Sequence, residues 1–490
     1  MVVTAPTALA RRLRPHQPAL IHRGRVTTYE ELDDRVIQAA RGLLSLGVAP
    51  GQVVGVWAAN GPEWVAIAHA VGRIGAILLP LNIRLTDEEI AWQVERAEAS
   101  LVLADAQRFD RPIRDRVRMV PLLEAFAGTS EAPIGDSLDP GRVHTIIFTS
   151  GTTGRPKGAL LSWGNQLASA TASTAALGLT ERDRWLLTMA LFHVGGLNIL
   201  HRCALAQAAV VIHERFDPEA VLEALVTDGV SVVSVVPAML RRMLDLWGDR
   251  PLPPSVRAIL IGGAPIPPDL IERCPAALPT YGMTETCSHT TLLRPGADAV
   301  DRASAGTPLF GTDVRIVDEH RNQVPTGVPG MIEVRSPTVF QGYLKEPEAT
   351  AATLVDGWLR TGDDGYMDDR GCLHMLSRRS DLIISGGENV YPSEIERVLE
   401  QHPGVYEAAV VGADDHRWGQ VPVAFIVPKG DAPAEAEVRA YVGQHLARYK
   451  VPRKVMVIEA LPRLGSGKLD RQALRRRALA NAADATPKLN

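Results

Sequence analysis

The 490-residue sequence has few cysteines and no excess of charge of either sign. Its four cysteines lie far apart and form no CxxC pair, so neither a disulfide framework nor a zinc site is expected. The 52 basic and 56 acidic residues give a formal net charge of -4, which lacks the basic excess of a nucleic-acid-binding protein. No run reaches the roughly 18 apolar residues that a membrane-spanning helix requires. These absences favour small-molecule chemistry without a nucleic-acid partner or a membrane span.

Size and composition point to a soluble globular protein of more than one domain. At 490 residues the chain is longer than a single hydrophobic core usually allows. Its 46% hydrophobic and 22% charged residues are typical of globular proteins. Residues 1–20 lack the continuous apolar segment of a signal peptide, so we expect a cytoplasmic protein. The thirteen histidines show no HExxH or comparable spacing, which disfavours a metallohydrolase.

Apolar patterns in the first 240 residues alternate between those of helices and those of strands. Thr28 and Glu31 have the spacing of a capping box, which predicts a helix that begins there. This alternation predicts a layered α/β body. Strands are expected at 53–58, 76–81, 101–105, 143–148, 209–213 and 231–235, and helices at 62–73, 87–98 and 164–176.

The pattern of apolar stretches changes twice in the second half of the chain. From residue 312 onward, short apolar stretches separated by Gly, Pro and Asp turns predict a small antiparallel or β-barrel-like unit. Beyond about residue 380, helices at 393–401 and 435–447 alternate with strands at 408–413, 423–428 and 454–459, as in a compact α+β domain. The expected fold is therefore α/β. A large multi-layered N-terminal domain with α/β subdomains and the barrel-like unit (1–379) precedes a small α+β C-terminal domain (380–490).

A Gly/Thr-rich segment at 149–158 follows directly after the apolar strand that ends at Phe148. Glycines let backbone N–H groups approach an anion, hydroxyls add donors and Lys157 adds a positive charge, so the segment suits a polyphosphate. The GxxxxGK[ST] spacing is absent, which disfavours an ordinary P-loop nucleotidase. The phosphate-binding candidates are Thr149, Ser150, Gly151, Thr152, Thr153, Gly154 and Lys157.

This segment resembles the phosphate loop of the adenylate-forming superfamily, which includes acyl-CoA synthetases, adenylation domains of peptide synthetases and luciferases. Further segments match that superfamily in the same order along the chain. They are YGMTET at 281–286, WLRTGD at 358–363, SRRSD at 377–381, SGGENVYP at 385–392 and PRLGSGK at 462–468. Together with the N-terminal α/β pattern, the resemblance covers essentially the whole chain.

The resemblance implies a binding site for ATP and Mg²⁺. Glu285 would hold Mg²⁺, because this hard cation prefers carboxylate oxygen. Thr284 would donate its hydroxyl to the α-phosphate, and Tyr281 would offer a flat face to adenine. Asp363 would accept the two ribose hydroxyls, while Arg378 would donate to the same sugar or to phosphate. The other ATP-binding candidates are Gly263, Ala264 and Gly282.

The C-terminal segments imply a catalytic lysine, a hinge and a coenzyme A channel. Lys468 would stabilise the negative charge that develops as the acid attacks the α-phosphate. Ser380 occupies the hinge, where the family typically has Asp or Lys, but a hinge depends more on permissive torsions than on charge. Rotation of the small domain would then withdraw Lys468 and present residues 385–389 to the thiol. The coenzyme A candidates are Ser385, Gly386 and Gly387.

The segment LFHVGGL at 191–197 matches the family segment that borders the acyl pocket, where a histidine or aromatic ring gates access to the carboxylate. His193 is therefore a catalytic candidate. The acyl-pocket candidates are His193, Gly262, Gly282 and Met283. A dicarboxylic acid would need a cation near its distal carboxylate, since a buried unpaired charge is costly. Arg202, His289 and Arg294 are candidates because they lie near the pocket segments in sequence.

The implied reaction joins a carboxylic acid to coenzyme A through an acyl-AMP, with release of pyrophosphate. Within the superfamily, segments 192–197, 213–217, 281–288 and 304–311 most resemble those of o-succinylbenzoate–CoA ligases of menaquinone synthesis. Medium- or long-chain fatty-acid and aryl-acid CoA ligases stay open as alternatives. So do a luciferase-like oxygenase, a free-standing adenylation protein that passes acyl groups to a carrier, and a non-catalytic nucleotide-binding relative. A homodimer is one possible assembly.

Overall fold

The structure is a computed structural model of the chain. It describes residues 2–149, 156–248, 250–263, 266, 268–298, 301–378, 383–390, 392–462 and 470–483. The chain divides into two compact units. The first comprises Met1–Ile83, Ala91–Phe148 and Gly158–Ser377, and the second comprises Arg84–Ile90, Thr149–Lys157 and Arg378–Asn490. The predicted boundary between residues 379 and 380 lies outside the described residues, so it stays a prediction.

Strands of the described residues are numbered in chain order. They are β1 (Val3–Thr4), β2 (Pro18–His22), β3 (Arg25–Thr28), β4 (Val53–Trp57), β5 (Ile77–Pro80), β6 (Ala99–Ala104), β7 (Met119–Pro121), β8 (Ser137–Leu138), β9 (Val143–Thr149), β10 (Lys157–Ser162), β11 (Arg184–Leu187), β12 (Ala209–Ile212), β13 (Val232–Val235), β14 (Ala258–Ile261), β15 (Ala277–Met283), β16 (Ser288–Leu292), β17 (Thr307–Pro308), β18 (Asp313–Val317), β19 (Gly330–Arg335), β20 (Leu354–Val355), β21 (Trp358–Met367), β22 (Leu373–Arg378), β23 (Ile383–Ser385), β24 (Glu388–Val390), β25 (Val405–Asp415), β26 (Gly419–Pro428) and β27 (Lys454–Val457).

The α-helices of the described residues are numbered in the same way. They are α1 (Pro6–Leu13), α2 (Tyr29–Ser45), α3 (Pro62–Arg73), α4 (Asp87–Ala97), α5 (Ala106–Phe109), α6 (Trp163–Leu177), α7 (Val194–Ala206), α8 (Pro218–Thr227), α9 (Pro237–Trp247), α10 (Pro268–Arg273), α11 (Pro347–Thr353), α12 (Pro392–Glu400), α13 (Glu435–His445) and α14 (Arg471–Ala483). Short 3-10 helices span Pro112–Asp115, Leu122–Phe126, Thr284–Thr286, Asp301–Ala303 and Arg448–Lys450. Within the described ranges, none of these helices is both long and apolar enough to cross a membrane.

Two large sheets form the body of the first unit, which confirms the α/β prediction. One has the strand order β10-β9-β5-β4-β6-β7, and the other has the order β17-β16-β15-β14-β13-β11-β12-β2-β3. Strands β4, β5 and β6 pair in parallel, and β4 is a continuous apolar run buried along its whole length. Such runs are typical of parallel strands covered on both faces. The predicted capping box also forms, because Thr28 and Glu31 bond to each other's backbone N–H at the start of α2.

A smaller sheet completes the first unit. Its strand order is β18-β19-β21-β20, with β22 beside β21. The pairs β18–β19, β19–β21 and β20–β21 are antiparallel, as expected from the short apolar stretches after residue 312. Strand β21 carries the predicted ribose ligand Asp363, so this sheet supplies part of the candidate site.

The second unit contains a sheet with the order β24-β23-β26-β25, and β27 lies parallel to β26. Helix α12 runs from residue 392 to residue 400, close to the predicted range of 393–401. The α+β composition expected beyond residue 380 is therefore confirmed. A buried lysine lies in this unit: Lys450 Nζ is 2.8 Å from Glu394 Oε1 and 2.9 Å from Glu89 Oε1.

Candidate active site

The hairpin of β15 and β16 carries several predicted site residues and has unusual backbone geometry. The antiparallel register shifts between Tyr281 and Gly282. A Cβ atom on Gly282 would lie 1.6 Å from the carbonyl oxygen of Ser288, so only glycine fits there. At the far end of the turn, Cys287 and Ser288 have φ angles of 54° and 94°, in the region that favours glycine. The turn is therefore held in a strained conformation.

The carboxylate of Glu285 lies in this turn and is buried. Tyr343 Oη donates a hydrogen bond to Glu285 Oε1 at 2.8 Å. The backbone N–H of Phe340 donates to the carbonyl oxygen of Glu285 at 2.9 Å. The side chain and the backbone of Glu285 are thus both bonded to the segment at 340–343.

Asp363, the predicted ribose ligand, lies against Tyr281, the predicted adenine contact. Tyr281 Oη donates to Asp363 Oδ2 at 2.8 Å, and both side chains are buried. The backbone N–H of Asp363 donates to Thr361 Oγ1 at 3.1 Å, and this hydroxyl donates in turn to the carbonyl of Ile332 at 2.8 Å. Two motifs that are about 80 residues apart in sequence therefore meet in one hydrogen-bonded pair.

Two glycines, Gly262 and Gly263, follow directly after β14. A Cβ atom on Gly262 would lie 2.6 Å from Thr280 Oγ1 on the neighbouring strand β15. Gly263 has a φ angle of 79°. Together they turn the chain beside the strand that leads to Tyr281. Ala264, which the sequence also predicts as an ATP contact, lies outside the described residues.

His193 is the residue that precedes α7, and its backbone is extended there. Its ring is half-buried and lies 4.7 Å from the ring of Phe192 between centroids. Gly196, in the first turn of α7, lies so close to the carbonyl of Ala190 that a Cβ atom would be 2.3 Å from this oxygen. The FHVGGL segment therefore brings the start of α7 tightly against the preceding loop.

Polar side chains of α6 and α7 contact the β16 end of the hairpin. From α7, Asn198 Nδ2 donates to Cys287 Sγ at 3.5 Å, and Arg202 Nη2 donates to Ser288 Oγ at 2.9 Å. From α6, Ser169 Oγ donates to the carbonyl of Cys287 at 2.6 Å. Residues 198 and 202 are four apart and so lie on one helix face. Both helices thus line the interior beside the turn that holds Glu285.

The structure separates the three candidate cations of the sequence analysis. Arg294 is exposed, whereas Arg202 and His289 are buried. Burial, together with the charge of Arg202, holds the pKa of His289 well below its usual value, so this histidine is neutral near pH 7. Burial also lowers the pKa of Arg202, to about 10, which leaves the guanidinium charged. Arg202 is therefore the one cation of the three inside the protein.

Arg202 lacks a counterion in the described part of the chain. Within the described ranges, its Nε and Nη1 atoms are buried without a hydrogen-bond partner, and Nη2 bonds only to a serine hydroxyl. The ring of Trp185 lies 5.4 Å from its Cζ atom, which gives a cation–π contact. Asn198 Oδ1 is a further buried polar atom that has no partner in the part of the chain that the structure describes. A buried charge with orphaned donors is costly unless an anion compensates it.

Of the predicted phosphate loop, the structure describes only the two ends. Thr149 ends β9 and Lys157 begins β10, and Thr149 Oγ1 donates to the carbonyl of Lys157 at 3.4 Å. Arg378 ends β22, and its side chain lies outside the described part. Residues Ser150, Gly151, Thr152, Thr153, Gly154, Ser380 and Lys468 also lie outside it, so their roles stay predictions.

The coenzyme A candidates form a tight hairpin in the second unit. Ser385 ends β23, and Gly386 and Gly387 make the turn to β24 with φ angles of 59° and 84°. Two successive positive φ angles are typical of a type I′ turn. A Cβ atom on Gly386 would lie 2.7 Å from the ring of Trp418. These glycines thus have a structural reason to be glycine besides the predicted contact with pantetheine.

Glu285 also suits the predicted magnesium ion. Mg²⁺ is usually bound by one or two carboxylates together with substrate phosphates, rather than by a cage of protein ligands. The described residues contain no group of three or more His, Cys, Asp or Glu side chains that could hold a metal. A single buried carboxylate next to a predicted ATP site fits the first arrangement.

Comparison with known proteins agrees with this geometry. Residues 9–344 match the AMP-binding enzyme family, and residues 394–468 match the C-terminal domain of AMP-binding enzymes. The chain therefore belongs to the AMP-binding enzyme family, the adenylate-forming superfamily that its motifs resemble.

Individual relatives narrow the comparison. A 2-succinylbenzoate–CoA ligase of Bacillus cytotoxicus is 43% identical over 96% of this chain and 98% of its own length. The o-succinylbenzoate CoA synthetase (MenE) of Bacillus subtilis, as a double mutant bound with its product analogue OSB-NCoA, is 36% identical, with a TM-score of 0.93 over 97% of this chain and 99% of that chain. The complex of the same enzyme with the acyl-adenylate intermediate OSB-AMP has a TM-score of 0.76, and the complex with ATP and magnesium ion has 0.75. The enzyme in both complexes is also 36% identical to this chain. Each match covers 97% of this chain, and the matches cover 98% and 99% of the enzyme chains in the two complexes.

Sequence reasoning missed Tyr343, Asn198 and Ser288, which the structure places around Glu285 and Arg202. Tyr343 lies in no motif that the sequence analysis used. The spacing of Asn198 and Arg202 on α7 was visible in the sequence, but nothing marked their common face as polar and buried. Ser288 lies just beyond the YGMTET segment, and its partner Arg202 is 86 residues away.

Proposed function

We propose that this chain is a 2-succinylbenzoate (o-succinylbenzoate)–CoA ligase. A carboxylate oxygen of the acid attacks the α-phosphorus of ATP, the bond to the bridging oxygen breaks, and pyrophosphate leaves with the electron pair. The thiol sulfur of coenzyme A then attacks the acyl carbon of the adenylate, and AMP leaves as the thioester forms. The enzyme uses ATP, Mg²⁺ and coenzyme A, as the family and the B. subtilis complexes support.

The observation that carries the choice of acid is the buried Arg202. A dicarboxylic acid needs one carboxylate for the reaction and a cation for the other. Arg202 belongs to α7 and bonds to Ser288 of β16, beside the turn that holds Glu285. Its Nε and Nη1 atoms have no hydrogen-bond partner among the described residues. Its charge and its unpaired donors suit an anionic group such as a carboxylate. A fatty acid or a simple aryl acid would bring no second charge to Arg202.

Each remaining site residue has a proposed role. Glu285 holds Mg²⁺, which when bound offsets negative charge on the phosphates. Tyr281 and Asp363, already bonded to each other, hold the adenosine, and Thr284 donates to the α-phosphate. His193 gates the acyl pocket. The phosphate loop at 149–157, Gly262, Gly263, Ala264, Gly282, Met283 and Arg378 complete the pockets for ATP and the acid.

The C-terminal region has a proposed role in both steps of the reaction. We propose that residues 380–490 form a mobile domain that pivots at Ser380 and carries Lys468. Lys468 stabilises the charge that develops during adenylation. The hairpin with Ser385, Gly386 and Gly387 then contacts the pantetheine arm of coenzyme A. The homodimer and the cytoplasmic location stay predictions from the sequence.

The test compares two acids and three proteins. Pyrophosphate release is measured with Mg·ATP, with and without coenzyme A, for 2-succinylbenzoate and for an analogue without the ring carboxylate. We expect release with 2-succinylbenzoate to rise with coenzyme A, and mass spectrometry to detect the thioester. Arg202→Met should lower kcat/KM for 2-succinylbenzoate by roughly 30- to 5,000-fold, because truncating one partner of a buried charge pair costs about 2–5 kcal/mol.

The analogue and a second arginine provide the controls. Arg202→Met should change kcat/KM for the monocarboxylate analogue much less than for 2-succinylbenzoate, and the exposed Arg294→Met should change neither. An equal loss for both acids would show that Arg202 is structural. The function itself would be wrong if the wild-type protein turned over a fatty acid or an aryl acid but not 2-succinylbenzoate.

A further inference from the structure

A short segment at 340–344 connects two parts of the candidate nucleotide site. The backbone N–H of Leu344 donates to the carbonyl of Gly158 at 2.8 Å, and that of Leu160 donates to the carbonyl of Gly342 at 2.9 Å. The segment is therefore bonded to β10, the strand that follows the predicted phosphate loop. Its other contacts are with Glu285.

Glu285 is bonded to this segment at two points. Phe340 N–H donates to its backbone carbonyl at 2.9 Å, and Tyr343 Oη donates to its side-chain Oε1 at 2.8 Å. The rings of Phe340 and Tyr343 pack edge to face with 4.7 Å between centroids. These contacts restrict both the backbone position and the rotation of the Glu285 carboxylate.

The position of Tyr343 is itself well determined. Its backbone N–H donates to Oγ1 of Thr350, a residue of α11, at 2.9 Å. Its backbone also forms an isolated antiparallel bridge with Ala159 of β10. The phenol is thus held from its backbone and through its ring, so its hydroxyl has a defined place beside the carboxylate.

We propose that Tyr343 is a positioning residue for the metal ligand Glu285. This proposal rests on the proposed function, in which Glu285 holds the magnesium ion of Mg·ATP. A hydrogen bond to one carboxylate oxygen orients the carboxylate for the metal. Partners of this kind typically change metal affinity 10- to 100-fold when they are removed. Tyr343 touches neither the acid nor the reacting atoms in this role.

The test measures metal binding directly. Mn²⁺ replaces Mg²⁺, and the electron paramagnetic resonance signal of free Mn²⁺ is titrated in the presence of the protein and α,β-methylene-ATP, without acid or coenzyme A. Tyr343→Phe keeps the ring and removes the hydroxyl. We expect it to raise the dissociation constant of Mn²⁺ about tenfold or more. Pyrophosphate release should need correspondingly more Mg²⁺, and saturating Mg²⁺ should restore most of kcat.

Tyr29→Phe is the matched control. The Tyr29 hydroxyl is also buried in the first unit, 2.9 Å from the carbonyl oxygen of Cys203 and 2.7 Å from that of Ala208. Its loss should lower the thermal stability and leave Mn²⁺ binding unchanged.

Three results separate the possible explanations. An unchanged Mn²⁺ dissociation constant in Tyr343→Phe would overturn the proposal, and so would an equal weakening in both tyrosine variants. Weaker Mn²⁺ binding in Tyr343→Phe alone would support it. That support would hold even if the wild-type protein failed to turn over 2-succinylbenzoate, because the binding assay contains no acid.

Discussion

The two units each bury a cation, and the two cations have opposite surroundings. In the second unit, Lys450 Nζ lies within 2.9 Å of carboxylate oxygens of both Glu394 and Glu89. In the first unit, Arg202 bonds to a serine hydroxyl, and its Nε and Nη1 atoms have no partner among the described residues. Both side chains are almost completely removed from solvent.

The pKa shifts of these two groups differ in sign. Burial by itself acts to lower the pKa of Lys450, but the charges of Glu394 and Glu89 reverse this and raise it above its usual range. Burial lowers the pKa of Arg202 to about 10, and only two cysteine thiols oppose this effect. The local environment thus stabilises the charge of Lys450 and destabilises that of Arg202.

The difference separates a structural ion pair from a proposed binding group. Lys450 has its counterions within the chain, so it contributes to the fold of its own unit. Arg202 carries a charge that no described residue neutralises, and we propose that the second carboxylate of the substrate binds it. Active and binding sites commonly accept such a local cost in stability.

The largest expected effect on stability comes from the replacement of Lys450 by a side chain without charge. Lys450→Met should lower the free energy of unfolding of the second unit by about 3–5 kcal/mol, because it removes the cation beside the buried Glu394 and the partly buried Glu89. The loss is measured by denaturant unfolding, with hydrogen exchange in peptides of this unit as the signal that is monitored. The exposed Lys454→Met is the control, and a loss below about 1 kcal/mol in Lys450→Met would contradict the structural role.

Acid should destabilise the interior around Arg202, where buried histidines are held neutral. Burial lowers the pKa of His69 to about 4 and that of His144 to about 3. Their pKa in the unfolded chain is about 6.5, so below that pH the unfolded chain takes up protons that the folded chain does not. Stability is therefore present above pH 6.5 and is lost as the pH falls toward 4. Between pH 7 and pH 5.5 the two histidines together account for a loss of about 2.5 kcal/mol.

Unfolding by urea across this pH range tests the expectation. His69→Gln should remove about half of the loss that His69 and His144 together account for. His16→Gln should leave the slope unchanged, because the His16 side chain is 86% exposed. A slope that is the same in wild type and His69→Gln would show that His69 does not carry the effect.

The smallest expected effect concerns the stability of the ligand-free protein without its buried arginine. Arg202→Met should leave the free energy of unfolding within about 1 kcal/mol of the wild-type value, or raise it, because an uncompensated buried charge is removed. Denaturant unfolding without any acid measures this, with Arg294→Met as the reference. A loss of about 3 kcal/mol or more would mean that Arg202 supports the fold in the way that Lys450 does.

Much of the fold was predictable because local patterns and tertiary contacts agree. The capping box at Thr28 and the buried run of β4 mark their elements unambiguously. The order of the motifs indicated the family and which residues to expect in the site. Sequence could not show that Tyr343 bonds to Glu285, because the two residues are 58 positions apart and Tyr343 belongs to none of those motifs.

The sequence by itself determined the α/β class, the order of the motifs and the chemistry that they imply, since these depend on local periodicity and on residue types at short spacing. Only the tertiary structure decided which of Arg202, His289 and Arg294 is a buried cation, and that Lys450 is paired with carboxylates while Arg202 has none beside it among the described residues. Burial and pairing depend on residues far apart in the chain: Lys450 and Glu89 are 361 positions apart. The surroundings of a charge, which set its free energy, exist only once the chain has folded.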